Sequence, residues 1–89
     1  MKEKLIENKI KSYLNSKNIY FFKHHGNKFS KVGVPDIIAC HNGKFIGIEV
    51  KNEIGKTTVL QDLNLEQIKQ SGGIAIIARS LDDVKRIIE

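Results

Sequence analysis

Cysteine is almost missing from this 89-residue sequence, which contains only Cys40. A single cysteine permits no internal disulfide, and chains without disulfides are typical of reducing compartments. It also excludes a cysteine-based zinc site, and the three histidines lack the spacing at which a second ligand would complete one. The fold must therefore rely on apolar residues, which make up 40% of the chain.

Long apolar segments are missing as well. The N-terminus, MKEKLIENKIK, is charged throughout and has no apolar region of the kind that a signal peptide requires. No apolar run approaches the roughly 20 residues that span a bilayer. We therefore expect a soluble, cytoplasmic protein that forms one domain over residues 1–89 and has no membrane partner.

Positive charge is concentrated in the first third of the chain. Residues 1–34 contain eight lysines and two glutamates, whereas the remaining 55 residues contain seven basic and eight acidic side chains. A basic segment favours a polyanionic partner such as nucleic acid. A general bias toward lysine would look the same, so charge alone leaves the two interpretations equally open.

The apolar periodicity predicts an α/β fold. Ile6, Ile10 and Leu14 share one helical face, and Thr58 to Gln61 match the capping box of a second helix. The predicted elements are a helix at 3–15, a strand at 20–24, a hairpin within 35–51, a helix from about 59 to 72, a strand at 73–78 and a helix at 81–88. Strands 44–51 and 73–78 flank a crossover helix and should be parallel, which predicts a mixed sheet with helices on both faces.

Two acidic residues stand at mirror positions of the hairpin. Asn42-Gly43 is a strong two-residue turn signal, and counting outward from it pairs Asp36 with Glu49. Opposed residues of antiparallel strands project from the same face, where two like charges destabilise the sheet. A hard divalent cation such as Mg²⁺ or Mn²⁺ would compensate that repulsion.

Lys51 shares a strand face with Glu49, two residues away. It could orient or deprotonate an attacking water, or stabilise charge on a phosphate. The competing interpretation is an exposed charge patch, because Glu-x-Lys is a common sequence. Against it, such a patch would interrupt two apolar strands at the same level.

These residues resemble a known family. Pro35-Asp36 followed by Glu49-Val50-Lys51 looks like the PD-(D/E)xK nuclease motif, and GVPDIIACHNGKFIGIEVK with the later Thr-x-x-Gln resembles the VRR-NUC (virus-type replication-repair nuclease) domain over roughly residues 3–80. The resemblance implies a restriction-endonuclease-like fold and metal-dependent cleavage of DNA. Stand-alone members are small homodimers, often from phages, that cut branched DNA such as four-way (Holliday) junctions, so a bacterial or phage-infected cytoplasm is expected.

The resemblance also implies roles for individual residues. Asp36 and Glu49 match the acids that bind Mg²⁺ or Mn²⁺, the carbonyl of Val50 a further ligand, and Lys51 the catalytic lysine. Glu7 matches the acidic residue of the family's first helix. Gln61 matches the glutamine at the start of the family's later helix, and Gln67 is a rival for that role with a poorer spacing. The residues alone favour a solvated helix position for Glu7 and would not single it out. For Gln61, a role in the capping box alone is as well supported as a role in the site.

Basic residues ahead of Asp36 are candidates for contacting DNA phosphates, which would position a duplex without reading its sequence. They are Lys23, His24, Lys28 and Lys31. The function predicted is a metal-dependent endonuclease acting on DNA, with no small-molecule cofactor. A DNA-binding module of the same fold without turnover is the alternative, and a sequence-specific restriction enzyme is a third possibility that 89 residues make harder to accommodate.

Overall fold

The computed structural model describes residues 1–26 and 31–89. The elements are α1 (Glu3–Ser16), β1 (Tyr20–Lys23), β2 (Ile37–His41), β3 (Lys44–Val50), α2 (Val59–Gln70), β4 (Ile74–Ala78) and α3 (Leu81–Ile88). This is the predicted order, with ends that differ from the prediction by one or two residues.

The four strands form one mixed sheet in the order β1-β2-β3-β4. β1, β2 and β3 are antiparallel neighbours, and β4 lies parallel to β3, as expected from the crossover through α2. The hairpin register is the predicted one, since His41 pairs with Lys44 and Ala39 with Ile46. Asn42 and Gly43 both have positive φ, 53° and 77°, as the tight turn requires.

The β2–β3 ladder ends one pair short of the prediction. Its last pair is Ile37 with Ile48, so Asp36 lies just before β2 and is not paired in the ladder with Glu49. Pro35 has no N–H with which to extend the ladder. The N–H of Val50 donates to the Asp36 carboxylate Oδ2 at 2.8 Å. The carboxylate is thereby fixed beside the end of β3.

Helices cover both faces of the sheet. On one face, Ile46, Ile48 and Val50 of β3 join the main apolar core with residues of α1 and α3. On the other face, a Cβ on Gly47 would lie 2.7 Å from Ile68 of α2, so this helix packs directly over the middle of β3. Glu49 and Lys51 alternate onto the same face as Gly47. Glu49 contacts Gln61 in the first turn of α2. Within the described ranges, no helix has the length and apolar character needed to cross a membrane.

Candidate active site

Asp36 and Glu49 lie together at the end of the β2–β3 hairpin. Glu49 is 2% exposed, while Asp36 is only partly buried. Burial raises the pKa of Glu49 to about 8, and the charge of Asp36 and a hydrogen bond with its carboxylate add to the increase. Lys51 opposes it. The two carboxyl groups are therefore close enough for the ionisation of one to be resisted by the other.

Lys51 and Gln61 reach Glu49 from opposite ends of the loop between β3 and α2. The Lys51 Nζ lies 3.8 Å from Glu49 Oε2, and Gln61 Nε2 donates to the same oxygen at 3.3 Å. Gln61 also serves the capping box: its Oε1 accepts the N–H of Thr58 at 2.9 Å, and its own N–H donates to Thr58 Oγ1 at 3.2 Å. The capping box predicted for Gln61 is confirmed, and its catalytic role stays a prediction.

Gln67, the rival helix-start glutamine, lies elsewhere. It lines a surface groove near the other end of α2 together with Phe45 and Ser71. The structure therefore brings Gln61 into contact with the acidic pair, whereas Gln67 faces a separate groove.

Glu7 is the other buried acid, at 6% exposure. Lysines surround it: Lys4 Nζ at 3.0 Å, Lys11 Nζ at 3.3 Å and Lys23 Nζ at 2.9 Å. Burial alone would raise the pKa of Glu7, but the hydrogen bonds from Lys23, Lys4 and Lys11 outweigh it and lower the pKa to about 2. Glu7 is therefore a carboxylate already compensated by ammonium groups.

Lys23 joins Glu7 to the acidic pair, since its Nζ also lies 3.5 Å from Asp36 Oδ1. Burial would lower the pKa of Lys23, but the hydrogen bond with Glu7 and the charges of Asp36 and Glu7 together raise it. The sequence did not predict this bridge. The register of β1 and β2 could have indicated this bridge, because Lys23 pairs with Ile37 and Ile37 directly follows Asp36.

The site offers a divalent cation few protein ligands. In the described parts of the chain, no group of three or more His, Cys, Asp or Glu side chains could share an ion. Asp36 and Glu49 would supply two carboxylates, and water or substrate oxygens would complete the coordination, as is usual for Mg²⁺. The buried acid with a raised pKa beside a second carboxylate fits such an ion, because the ion would offset their repulsion. The predicted roles of Glu7 and of the Val50 carbonyl as ligands stay predictions.

The residues predicted to bind DNA do not all lie beside the acidic pair. His24 follows β1, and its backbone N–H donates to the Asp36 carbonyl at 2.8 Å, which places it beside the site. Lys31 is exposed at the surface groove that also contains Gln67. The ammonium of Lys23 faces acids, as described above. Lys28 lies outside the described residues. The role of each in DNA binding stays a prediction.

Arg79 is a further residue that the sequence did not single out. It follows β4, and its Nη1 donates to the carbonyls of Asn52 and Gly55, both at 2.7 Å. These two carbonyls belong to the loop between Lys51 and the start of α2. Arg79 therefore holds the loop that connects two members of the site.

The comparisons with known proteins identify the fold. No protein-family model and no curated protein matches the sequence. Among solved structures, a "VRR_NUC domain protein" matches 99% of this chain and 85% of its own, with a TM-score of 0.78 and 21% identical residues. The α-β-β-β-α-β-α chain thus has the fold of that VRR_NUC domain protein. The predicted fold class and the resemblance on which it depended are confirmed at this level.

Proposed function

We propose that this protein is a metal-dependent DNA endonuclease that hydrolyses phosphodiester bonds. The observation that carries the proposal is the buried Glu49 carboxyl in contact with Lys51 and Gln61, next to Val50, whose N–H binds the Asp36 carboxylate. Two acids, an ammonium and an amide at one point provide what cation binding and phosphate chemistry require. The fold supports the same conclusion by analogy only, because folds host many functions.

The proposed roles follow from the chemistry of each side chain. Asp36 and Glu49 would hold Mg²⁺ or Mn²⁺, which would supply polarisation of the phosphate and a lower pKa of water. Lys51 orients the attacking water and stabilises the charge that develops on the phosphate. The water oxygen bonds to phosphorus, the bond to the 3′ oxygen breaks, and a proton passes to that oxygen. Gln61 fixes the orientation of the Glu49 carboxyl.

The substrate we propose is branched DNA, in particular a four-way junction. The excess of lysine in residues 1–34 supports a polyanionic ligand. A chain of 89 residues has little surface for a branched substrate, and a single site makes a single nick. We therefore propose a two-fold homodimer, which would present two sites to a two-fold junction. We propose that the protein acts in the cytoplasm of a bacterium or of a phage-infected host cell.

The test is cleavage of an end-labelled four-way junction and a linear duplex of matched sequence, in Mg²⁺, Mn²⁺ or EDTA. The purified wild type is compared with Lys51→Ala and with Lys44→Ala, a matched control at the exposed end of the same strand. We expect metal-dependent cuts that favour the junction, that are lost in Lys51→Ala and that persist in Lys44→Ala.

Each contrary result has a distinct meaning. Equal cutting by wild type and Lys51→Ala would indicate a contaminating nuclease and overturn the assignment. DNA that is bound but uncut in every metal would identify a binding module with a nuclease fold. Cuts at one sequence of the plain duplex would instead indicate a restriction-type enzyme.

A further inference from the structure

Lys23 belongs to a different secondary-structure element from the other two lysines that contact Glu7. Lys4 and Lys11 belong to α1 itself, three residues before and four residues after Glu7. Residues at these spacings lie next to each other on one face of a helix, so such pairs are expected from the helix alone. Lys23 belongs to β1 and reaches Glu7 across the interface between helix and sheet. Its side chain is 23% exposed, so most of its length is buried.

The position of the Lys23 ammonium matters because it contacts two carboxylates. It lies 2.9 Å from Glu7 Oε1 and 3.5 Å from Asp36 Oδ1. The other Asp36 oxygen accepts the N–H of Val50. Lys51 and Gln61 approach Glu49, not Glu7. Lys23 therefore places a positive charge between Glu7 and Asp36, on the side of Asp36 away from its contact with Val50.

We propose that the Lys23 ammonium takes the place of a second divalent cation, so that the site formed by these acids binds one divalent ion per chain. This inference rests on the proposed function, since it assumes that Asp36 and Glu49 hold that ion. A divalent ion placed between Glu7 and Asp36 would meet the ammonium at contact distance, and like charges at such a distance repel strongly in a partly buried site. Glu7 then acts by holding Lys23 in place, and Lys23 is a positioning residue for Asp36.

The chain offers a matched pair of variants. Lys23→Met removes the ammonium that contacts both acids, and Glu7 keeps Lys4 and Lys11 as partners. Lys11→Met removes one positive charge from the same carboxylate without touching Asp36. The two variants lose equal charge near Glu7, and only Lys23→Met removes a charge that also contacts Asp36. Lys23→Gln, which stays polar, replaces Lys23→Met if that variant does not fold.

The measurement is the number of Mn²⁺ ions bound per chain, determined by calorimetric titration and by the electron paramagnetic resonance signal of free Mn²⁺. It needs no DNA and no cleavage. Circular dichroism first establishes that each variant is folded. We expect one ion for the wild type, one for Lys11→Met and two for Lys23→Met. Asp36→Asn in the wild-type background should reduce the one ion to none.

The outcomes separate this inference from the proposed function. Two ions in the wild type, or one ion in both Lys23→Met and Lys11→Met, would overturn the role of Lys23 and leave the Asp36–Glu49 site standing. Two ions in Lys11→Met as well would assign the effect to general charge and also overturn it. If Asp36→Asn binds Mn²⁺ as the wild type does, Asp36 and Glu49 do not form the cation site. That result would overturn both proposals.

Discussion

The amide of Gln61 donates a hydrogen bond to the buried carboxyl of Glu49 while its carbonyl oxygen completes the N-terminal cap of α2. One side chain thus links the start of a helix to the acid at the end of β3. The position of Glu49 within the site therefore depends on where α2 begins. The two tasks use different atoms of Gln61, so substitutions can separate them.

Gln61→Glu should impair cleavage while it preserves the helix. A glutamate at this position still accepts the N–H of Thr58, but it cannot donate to Glu49 and adds a carboxylate beside it. Loss of a partner that orients a metal ligand lowers activity or metal affinity on the order of 10- to 100-fold. The junction-cleavage rate and the Mn²⁺ affinity measure this effect.

The control for Gln61→Glu is Thr58→Ala, which removes the cap hydroxyl and leaves the contact with Glu49. Loss of an N-cap side chain costs about 0.5–2 kcal/mol of the free energy of unfolding. We expect that loss in a urea titration, with the cleavage rate nearly unchanged. Equal losses of activity in the two variants would show that Gln61 acts only through the helix start.

The sequence predicted those features that depend on local pattern. The Asn42-Gly43 turn set the hairpin register, and the register brought Asp36 close to Glu49. The Thr58–Gln61 spacing located the start of α2. Local patterns did not predict contacts between distant segments. In the sequence, a lysine that bridges two acids, as Lys23 does, cannot be distinguished from a lysine that faces solvent.

Gly33→Ala should destabilise the fold more than Gly72→Ala. Both glycines have positive φ, 85° and 94°, so alanine is strained at either position. A Cβ on Gly33 would also lie 2.7 Å from the backbone carbonyl of Leu60 in α2, whereas a Cβ on Gly72 would have no neighbour within 4 Å. We expect about 1–2 kcal/mol of lost stability for Gly72→Ala from the backbone alone. Gly33→Ala should lose a further 1–3 kcal/mol or so from overpacking.

Urea denaturation of the two glycine variants measures the difference directly. Gly72→Ala is the control because it reproduces the backbone strain without the close approach. Equal midpoints would mean that the segment before Pro35 can move away from α2. In that case Asp36 would not depend on this contact for its position.

Arg79→Ala should loosen the loop between Lys51 and α2. The guanidinium donates to two backbone carbonyls of that loop, and hydrogen bonds to charged groups contribute roughly 1.5–3 kcal/mol each. We expect a lower free energy of unfolding and faster proteolysis within residues 52–57. Limited proteolysis with mass spectrometry detects the second effect.

Arg86→Ala is the matched control for Arg79→Ala. Its side chain is 75% exposed and pairs only with Asp83, three residues earlier on α3, among the described residues. Surface substitutions of this kind change stability by about 0.5 kcal/mol or less. A loop that is cut equally fast in both arginine variants would contradict the proposed restraint by Arg79.

Tyr13 makes the stability of the fold sensitive to alkaline pH. Its hydroxyl donates to the carboxylate of Glu89, and burial together with that carboxylate raises the pKa of Tyr13 to about 12. The folded chain therefore keeps this proton up to about pH 12, whereas the unfolded chain releases it above its ordinary value of about 10. Ionisation then favours the unfolded chain, so the contribution of Tyr13 is complete below pH 10 and is lost as the pH rises toward 12.

Tyr13→Phe tests this dependence, because phenylalanine keeps the ring and removes the ionising group. Below pH 10 the variant should be less stable than the wild type by about 1 kcal/mol, the usual contribution of a hydrogen bond. Between pH 10 and 12 that gap should close. Tyr20→Phe is the control, since it removes a tyrosine hydroxyl from a side chain that is 73% exposed. A Tyr13→Phe gap that is constant from pH 8 to pH 12 would contradict the raised pKa of Tyr13.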